Sequence, residues 1–161
     1  MATKTRTQQS SIKILEDVAN FADSEKIAEK NKGRLITLRE VIIGLRQDPT
    51  LLDRIKSNSY WVYADRETIL GTKEYRNHYE IDYENGVLNP VSEGVWNLLP
   101  VEKRANVIPG GDFSFVYLDI SVKSDRRFEI DDINSGSGCA SRVMYVANEK
   151  EGLLKRLRHR D

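Results

Sequence analysis

The spacing of apolar residues changes near Ser57, from intervals of three and four to intervals of two. This divides the chain into a helical part and a strand part. In the first part Ile14, Leu15, Val18, Phe21 and Ala22 fall on one helical stripe. Asp23-Ser24 then offers a cap for a short helix around Ile27 and Ala28, which Gly33 stops. The next helix carries the fullest set of signals. Thr37 and Glu40 form a T-x-x-E capping box, and Ile36 with Val41 supplies a hydrophobic staple around it. Leu38, Val41, Ile42 and Leu45 make its apolar face. Asp48-Pro49 ends this helix and opens another, with Leu51, Leu52 and Ile55 on the buried side.

In the second part "YWVYA" is rich in aromatic and β-branched residues and reads as a strand. In "HYEIDYENG" Tyr79, Ile81 and Tyr83 alternate with His78, Glu80, Asp82 and Glu84. Asn85-Gly86 predicts a two-residue type I′ hairpin turn, with Val87 opposite Glu84 and Leu88 opposite Tyr83. Ser92 caps a short helix holding Val95, Trp96, Leu98 and Leu99, which Pro100 interrupts. After the turn at Pro109-Gly110-Gly111, "DFSFVYLDISV" is apolar on both faces, which predicts a strand that is central or covered by helices. "RRFEI" and "RVMYVA" complete the set, separated by "NSGSGCAS". Helices first and strands later predict an α+β fold with N-terminal helices packed on a mainly antiparallel β-sheet. The expected organisation is a flexible basic stretch at 1–10, a single domain at 11–148 and a basic tail at 149–161. Within the domain, 11–57 is expected to be helical and 59–147 sheet-rich.

The length of 161 residues suits one domain and buries roughly 70% of the surface that the unfolded chain exposes. With 39% apolar and 31% charged residues the chain reads as globular and soluble. Its apolar runs are too short to span a bilayer, and its polar amino end shows no signal peptide. A single cysteine fits a reducing compartment, so the expected location is the cytoplasm. Lys4, Arg6 and Lys13 give residues 1–13 a charge of +3. Five basic residues against Glu151 and Asp161 give residues 150–161 the same, which leaves −6 for the body of a neutral chain. An acidic body opposes general binding to phosphate backbones.

Candidate chemistry is sparse. Alternate residues on a strand lie about 6.5–7 Å apart, so His78, Glu80, Asp82 and Glu84 do not converge on one ion. The hairpin's polar face explains them, and if a metal were held its ligands would be Glu80 and Asp82. Cys139 sits in a Gly-rich segment, but a thiolate nucleophile needs a base, and His78 and His159 are the only histidines. "PGGD" and "GSGCAS" lack the order of a phosphate loop. Asp112, Asp119 and Asp131-Asp132 are scattered acids whose spacing singles out no cluster. Ala28, Leu38 and Val41 have the spacing of a helix-turn-helix pair over 24–46, from which Arg39 and Arg46 would reach DNA. The turn glycine, at Gly33, is one place late for that motif, and Leu35 and Ile36 make the turn long and apolar.

The expectation is therefore a small non-enzymatic binding or adaptor protein that acts on another protein, as an inhibitor or accessory factor, without cofactor, metal or membrane. Trp61 and Tyr63 are the candidate contact residues. The alternative is a DNA-binding accessory protein using Arg39 and Arg46.

Overall fold

In the computed structural model, which describes residues 12–64, 67–70, 77–108, 115–120, 125–131 and 141–148, nine strands join in one sheet. In chain order the elements are β1 (Ile12–Ala19), α1 (Phe21–Lys30), β2 (Gly33–Leu35), α2 (Leu38–Gln47), α3 (Leu51–Ile55), β3 (Ser59–Tyr63), β4 (His78–Asp82) and β5 (Val87–Pro90). There follow α4 (Glu93–Leu98), a 3-10 turn (Val101–Lys103), β6 (Arg104–Ile108), β7 (Phe115–Ile120), β8 (Phe128–Asp131) and β9 (Ser141–Ala147). The order across the sheet is β1-β9-β3-β7-β8-β6-β4-β5, with β2 paired beside β9. The α+β class holds. The sheet is mixed rather than mainly antiparallel, because β6 runs parallel to β8 and β3 parallel to β9. Turn signals mark chain reversals, but β8 inserts between its hairpin partner β7 and the earlier β6. Two reversals separate β6 from β8, so they run the same way.

Residues 12–19, expected to be helical, form the edge strand β1. The register of β1 on β9 breaks between Leu15 and Val18, and this bulge produces the three-residue spacing that resembles a helical stripe. Ile12, Ile14 and Val18 are β-branched, in keeping with a strand. The first helix starts later, at Phe21, and its cap is Asn20, whose side chain accepts the N–H of Asp23 at 2.9 Å. Gly33 lies inside β2 rather than at a helix stop.

The capping box stands as expected. Thr37 Oγ1 accepts the Glu40 N–H at 3.1 Å, and Glu40 accepts the Thr37 N–H at 2.9 Å. Arg34 donates to both Glu40 oxygens at 2.8 and 2.7 Å. Burial raises the Glu40 carboxyl, but the bonds from Arg34 and Thr37 outweigh it and hold the pKa below the ordinary value. The hairpin differs in register. Asp82 pairs with Val87 and Ile81 with Leu88, so the loop has four residues, Tyr83 to Gly86, instead of two. Asp82 causes this, since its carboxylate accepts the N–H groups of Glu84 and Asn85 and the Asn85 side chain. Leu88 still shares the face of Tyr79 and Ile81.

Two apolar clusters lie on the two faces of the sheet. On one, α2 and α3 bring Leu38, Val41, Ile42, Leu51 and Ile55 against Tyr60, Val62, Val116, Leu118 and Met144. On the other, α1 brings Ala28, with Phe21 and Ile27, against Trp61, Val143 and Tyr145. The chain crosses from one face to the other through Gly33–Thr37. β9 and β3 pair only at Tyr60 and Arg142 before they splay. β2 fills the opening, pairing Leu35 with Tyr145, while Ile36 donates to Met144 and accepts from Tyr63. Leu35 joins the second cluster and Ile36 the first.

A Cβ on Gly33 would strike the Val146 carbonyl and the Tyr145 ring. Gly33→Ala is therefore expected to cost about 1–3 kcal/mol through overpacking. Urea unfolding checks this, and an unchanged midpoint would refute the wedge geometry.

Candidate functional site

Two surfaces gather polar side chains. The first is a cleft of about 650 Å³ between the α2–α3 corner and the β4–β5 hairpin. Leu45, Leu52, Ile81 and Tyr83 form its apolar wall, and Glu80, Asp82 and Arg46, all singled out from the sequence, share its lining. Lys103 and Arg127 enter from the 3-10 turn and the start of β8. Asp82 is committed to the hairpin: the Asn85 side chain, then backbone N–H groups, hold its pKa below the ordinary value. Glu80 stands two residues back on the same strand. Among the described residues no three His, Cys, Asp or Glu side chains are set to share a metal ion. Tyr83 donates its phenol to the Glu102 carbonyl, and burial pushes its pKa up to about 12. It ties the hairpin to the 3-10 turn as a neutral donor.

The helix-turn-helix geometry for DNA does not form. α1 and α2 are separated by a strand, and Ala28 packs on one face of the sheet while Leu38 and Val41 pack on the other. Arg39 lies against the space left by the missing Cβ of Gly86. Arg46 faces a cleft of mixed charge, with Lys103 and Arg127 beside Glu80, Asp82, Glu84 and Glu102, rather than an exposed basic surface.

The second surface is the sheet face between α1 and α4. Trp61, expected at the surface, is fully buried there under Phe21, which also stacks on Phe115 at 3.9 Å. Tyr63 is half-buried and donates its phenol to Glu25 of α1; burial and that carboxylate hold it protonated. Both residues seat α1. At the other end Trp96 anchors α4, donating Nε1–H to the Ala105 carbonyl at 3.1 Å, with Arg104 over its ring and His78 against its edge. Cys139, His159, Asp112 and Asp132 lie outside the described residues.

Between the helices the strand register lines up a row of polar residues. Ser59 faces Asp119, Asp119 faces Glu129, Glu129 faces Asn106, and Asn106 faces His78. The next row holds Trp61, Tyr117 and Asp131. Asp119 and Glu129 are thus opposed across neighbouring strands, with Asp131 two residues further along the strand of Glu129, a grouping that spacing in the sequence did not single out. Their signal was the alternation of acids with core residues in "FVYLDI" and "FEID", which gives the face but not the neighbour. Glu129 is paired with Arg126 at 2.7 Å. Burial, then the Glu129 charge, raises the pKa of Asp119. Burial, Glu129 and Asp119 in that order raise Asp131. No cation among the described residues pairs with either.

No protein-family model matches the chain, and no curated protein matches it. Among solved structures it is similar to TC14, a C-type lectin from the tunicate Polyandrocarpa misakiensis, at 18% identity and a TM-score of 0.42. That similarity covers 85% of this chain and 96% of the other. Among the described residues no helix is long and apolar enough to cross a membrane.

A carboxyl with a raised folded pKa destabilises the fold while it is ionised. That cost is present above the folded pKa and relieved as pH falls from it toward the ordinary value of 3.8. Asp119→Asn is therefore expected to stabilise the protein at pH 7 by about 0.2–1 kcal/mol, the range for like charges opposed across strands. The advantage should vanish on acidification. Melting curves against pH check this, and a lower melting temperature for the variant at pH 7 would refute it.

Proposed function

We propose that the protein is a non-enzymatic binding protein that acts through contacts with another protein, as an adaptor, inhibitor or accessory factor, with α4 and the following 3-10 turn as its contact surface. The observation that carries this is the exposure of Leu98 at 87%, with Val95 at 47% and Val101 at 42% on the same short segment. Single exposed apolar residues are ordinary, but three within seven positions make a local apolar knob. A six-residue helix is unstable alone, so α4 depends on the Trp96 anchor and on the Ser92 cap, which accepts the Val95 N–H at 3.2 Å. The knob is thus presented on a fixed support, which limits the entropy lost on binding. Glu102 and Lys103 continue the segment into the charged cleft, giving an apolar centre with a polar rim. The single cysteine keeps the cytoplasm as the proposed setting.

Leu98→Asp places a charge at the centre of the knob without touching the core. Captured from a lysate of the source cells, a partner protein should be retained by the wild type and at least tenfold less by the variant, equivalent to about 1.4 kcal/mol or more. Equal retention by the variant would remove this surface from the account. Retention of no protein, with a small metabolite co-purifying in stoichiometric amount, would replace the reading with ligand binding.

A further inference from the structure

We propose that the cleft between the α2–α3 corner and the β4–β5 hairpin binds a small zwitterion with an apolar body. A carboxylate and an ammonium group on apolar side chains, as in an apolar amino acid or dipeptide, is the chemistry it fits. Leu98 does not line this cleft, and the site does not rest on the reading of the α4 knob.

The cleft follows from the mixed sheet. β6 pairs with β4 only over residues 78–80, so Ile81 and Asp82 carry β4 past the start of β6 at Arg104. β6 and β8 run parallel, which brings their starts to the same end of the sheet. Lys103 and Arg127 immediately precede those two strands, and the Arg127 N–H donates to the Arg104 carbonyl. Parallel pairing thus carries two cations, 24 positions apart in sequence, to one step in the sheet, where both line the cleft. The α2–α3 corner closes over that step with Pro49 and Leu52, and the volume enclosed is about 650 Å³. Sites for small molecules span about 300–1,000 Å³.

The charges in the lining select the ligand. Arg46 adds a third cation from the last turn of α2. Among the described residues Arg46, Lys103 and Arg127 form no ion pair and no side-chain hydrogen bond, although Arg127 is half-buried. A guanidinium with its donors unfilled by protein matches the two oxygens of a carboxylate. A simple anion would be opposed by Glu80, Glu84 and Glu102, which line the same cleft and also lack an ion-pair partner among the described residues. These opposite charges share one cleft but stand too far apart to bond to one another. A ligand that carries both signs serves both sets.

The wall requires the ligand's body to be apolar. Leu45, Leu52, Ile81 and Tyr83 supply that surface. It is fixed before a ligand enters, because Tyr83 is tied to the Glu102 carbonyl and Asp82 holds the hairpin loop. A wall ordered in advance limits the entropy lost on binding.

Titration calorimetry at low salt with the dipeptide Leu-Phe, and separately with free phenylalanine, tests the site. Saturable one-to-one binding of Leu-Phe is expected, weakened at least tenfold by amidation of its carboxylate and at least tenfold by acetylation of its amine. Lys103→Gln/Arg127→Gln should weaken the free dipeptide at least tenfold and leave the residual binding of the amidated one unchanged, since both changes remove the same interaction. Should the double variant not fold, Lys103→Gln alone, at an exposed position, is expected to weaken the free dipeptide about threefold or more. Leu98→Asp should leave dipeptide binding unchanged, which separates this site from the knob. If phenylalanine binds as tightly as the dipeptide and is equally sensitive to the charge variants, the zwitterion chemistry stands and a single amino acid is its source. Absence of binding by both probes, a blocked dipeptide that binds as tightly as the free one, or binding that the charge variants leave unchanged would each overturn the proposal.

Discussion

Ile36 forms hydrogen bonds with two strands, donating to Met144 of β9 and accepting from Tyr63 of β3. Without it, β9 and β3 would part with their backbone groups unpaired, which is costly in a buried setting. The wedge also sets the arrangement of everything around the sheet. It carries the chain from α1 on one face to α2 on the other within five residues, Gly33 to Thr37. Gly33 is required there because its neighbours leave no room for a side chain. α2 and α3 pack on one face, and α1 and α4 on the second.

Local signals in the sequence survived folding where the interactions behind them are local. The box of Thr37 and Glu40, the cap at Ser92 and the apolar face of Leu38, Val41 and Ile42 involve partners within a few residues, so they are legible without the fold. β1 was misleading because a bulge and a helix both place apolar residues three apart. The hairpin loop moved by two because the Asp82 side chain competes for the loop N–H groups, a choice that a dipeptide rule does not contain. Pairing between distant strands left no local trace, so the parallel neighbours β6 and β8 were not foreseen. The same limit hid the acidic grouping. Asp119 and Glu129 each look like ordinary outward residues until the register sets them opposite one another, and Trp61 looks exposed until α1 is laid over it.

The two surfaces differ in physical character, and both depend on anchors rather than on loops. On the α4 side, Trp96 is held by Ala105 and Arg104, so the exposed Leu98 is fixed on a rigid mount. On the row, Asp119 and Glu129 stand opposite one another on adjacent strands. Like charges opposed across a sheet lower its stability. The cleft by the hairpin is different: Asp82 serves the turn and Tyr83 the 3-10 segment, so much of its polar lining is already spent on structure.

If the wedge holds the two faces together, its amides open only when the whole protein does. Native-state hydrogen exchange of the Ile36 and Tyr63 amides measures this directly. Both are expected to exchange with the free energy of global unfolding and with the same denaturant dependence. Exchange of either amide at the rate of exposed loop positions, or with no denaturant dependence, would contradict the account.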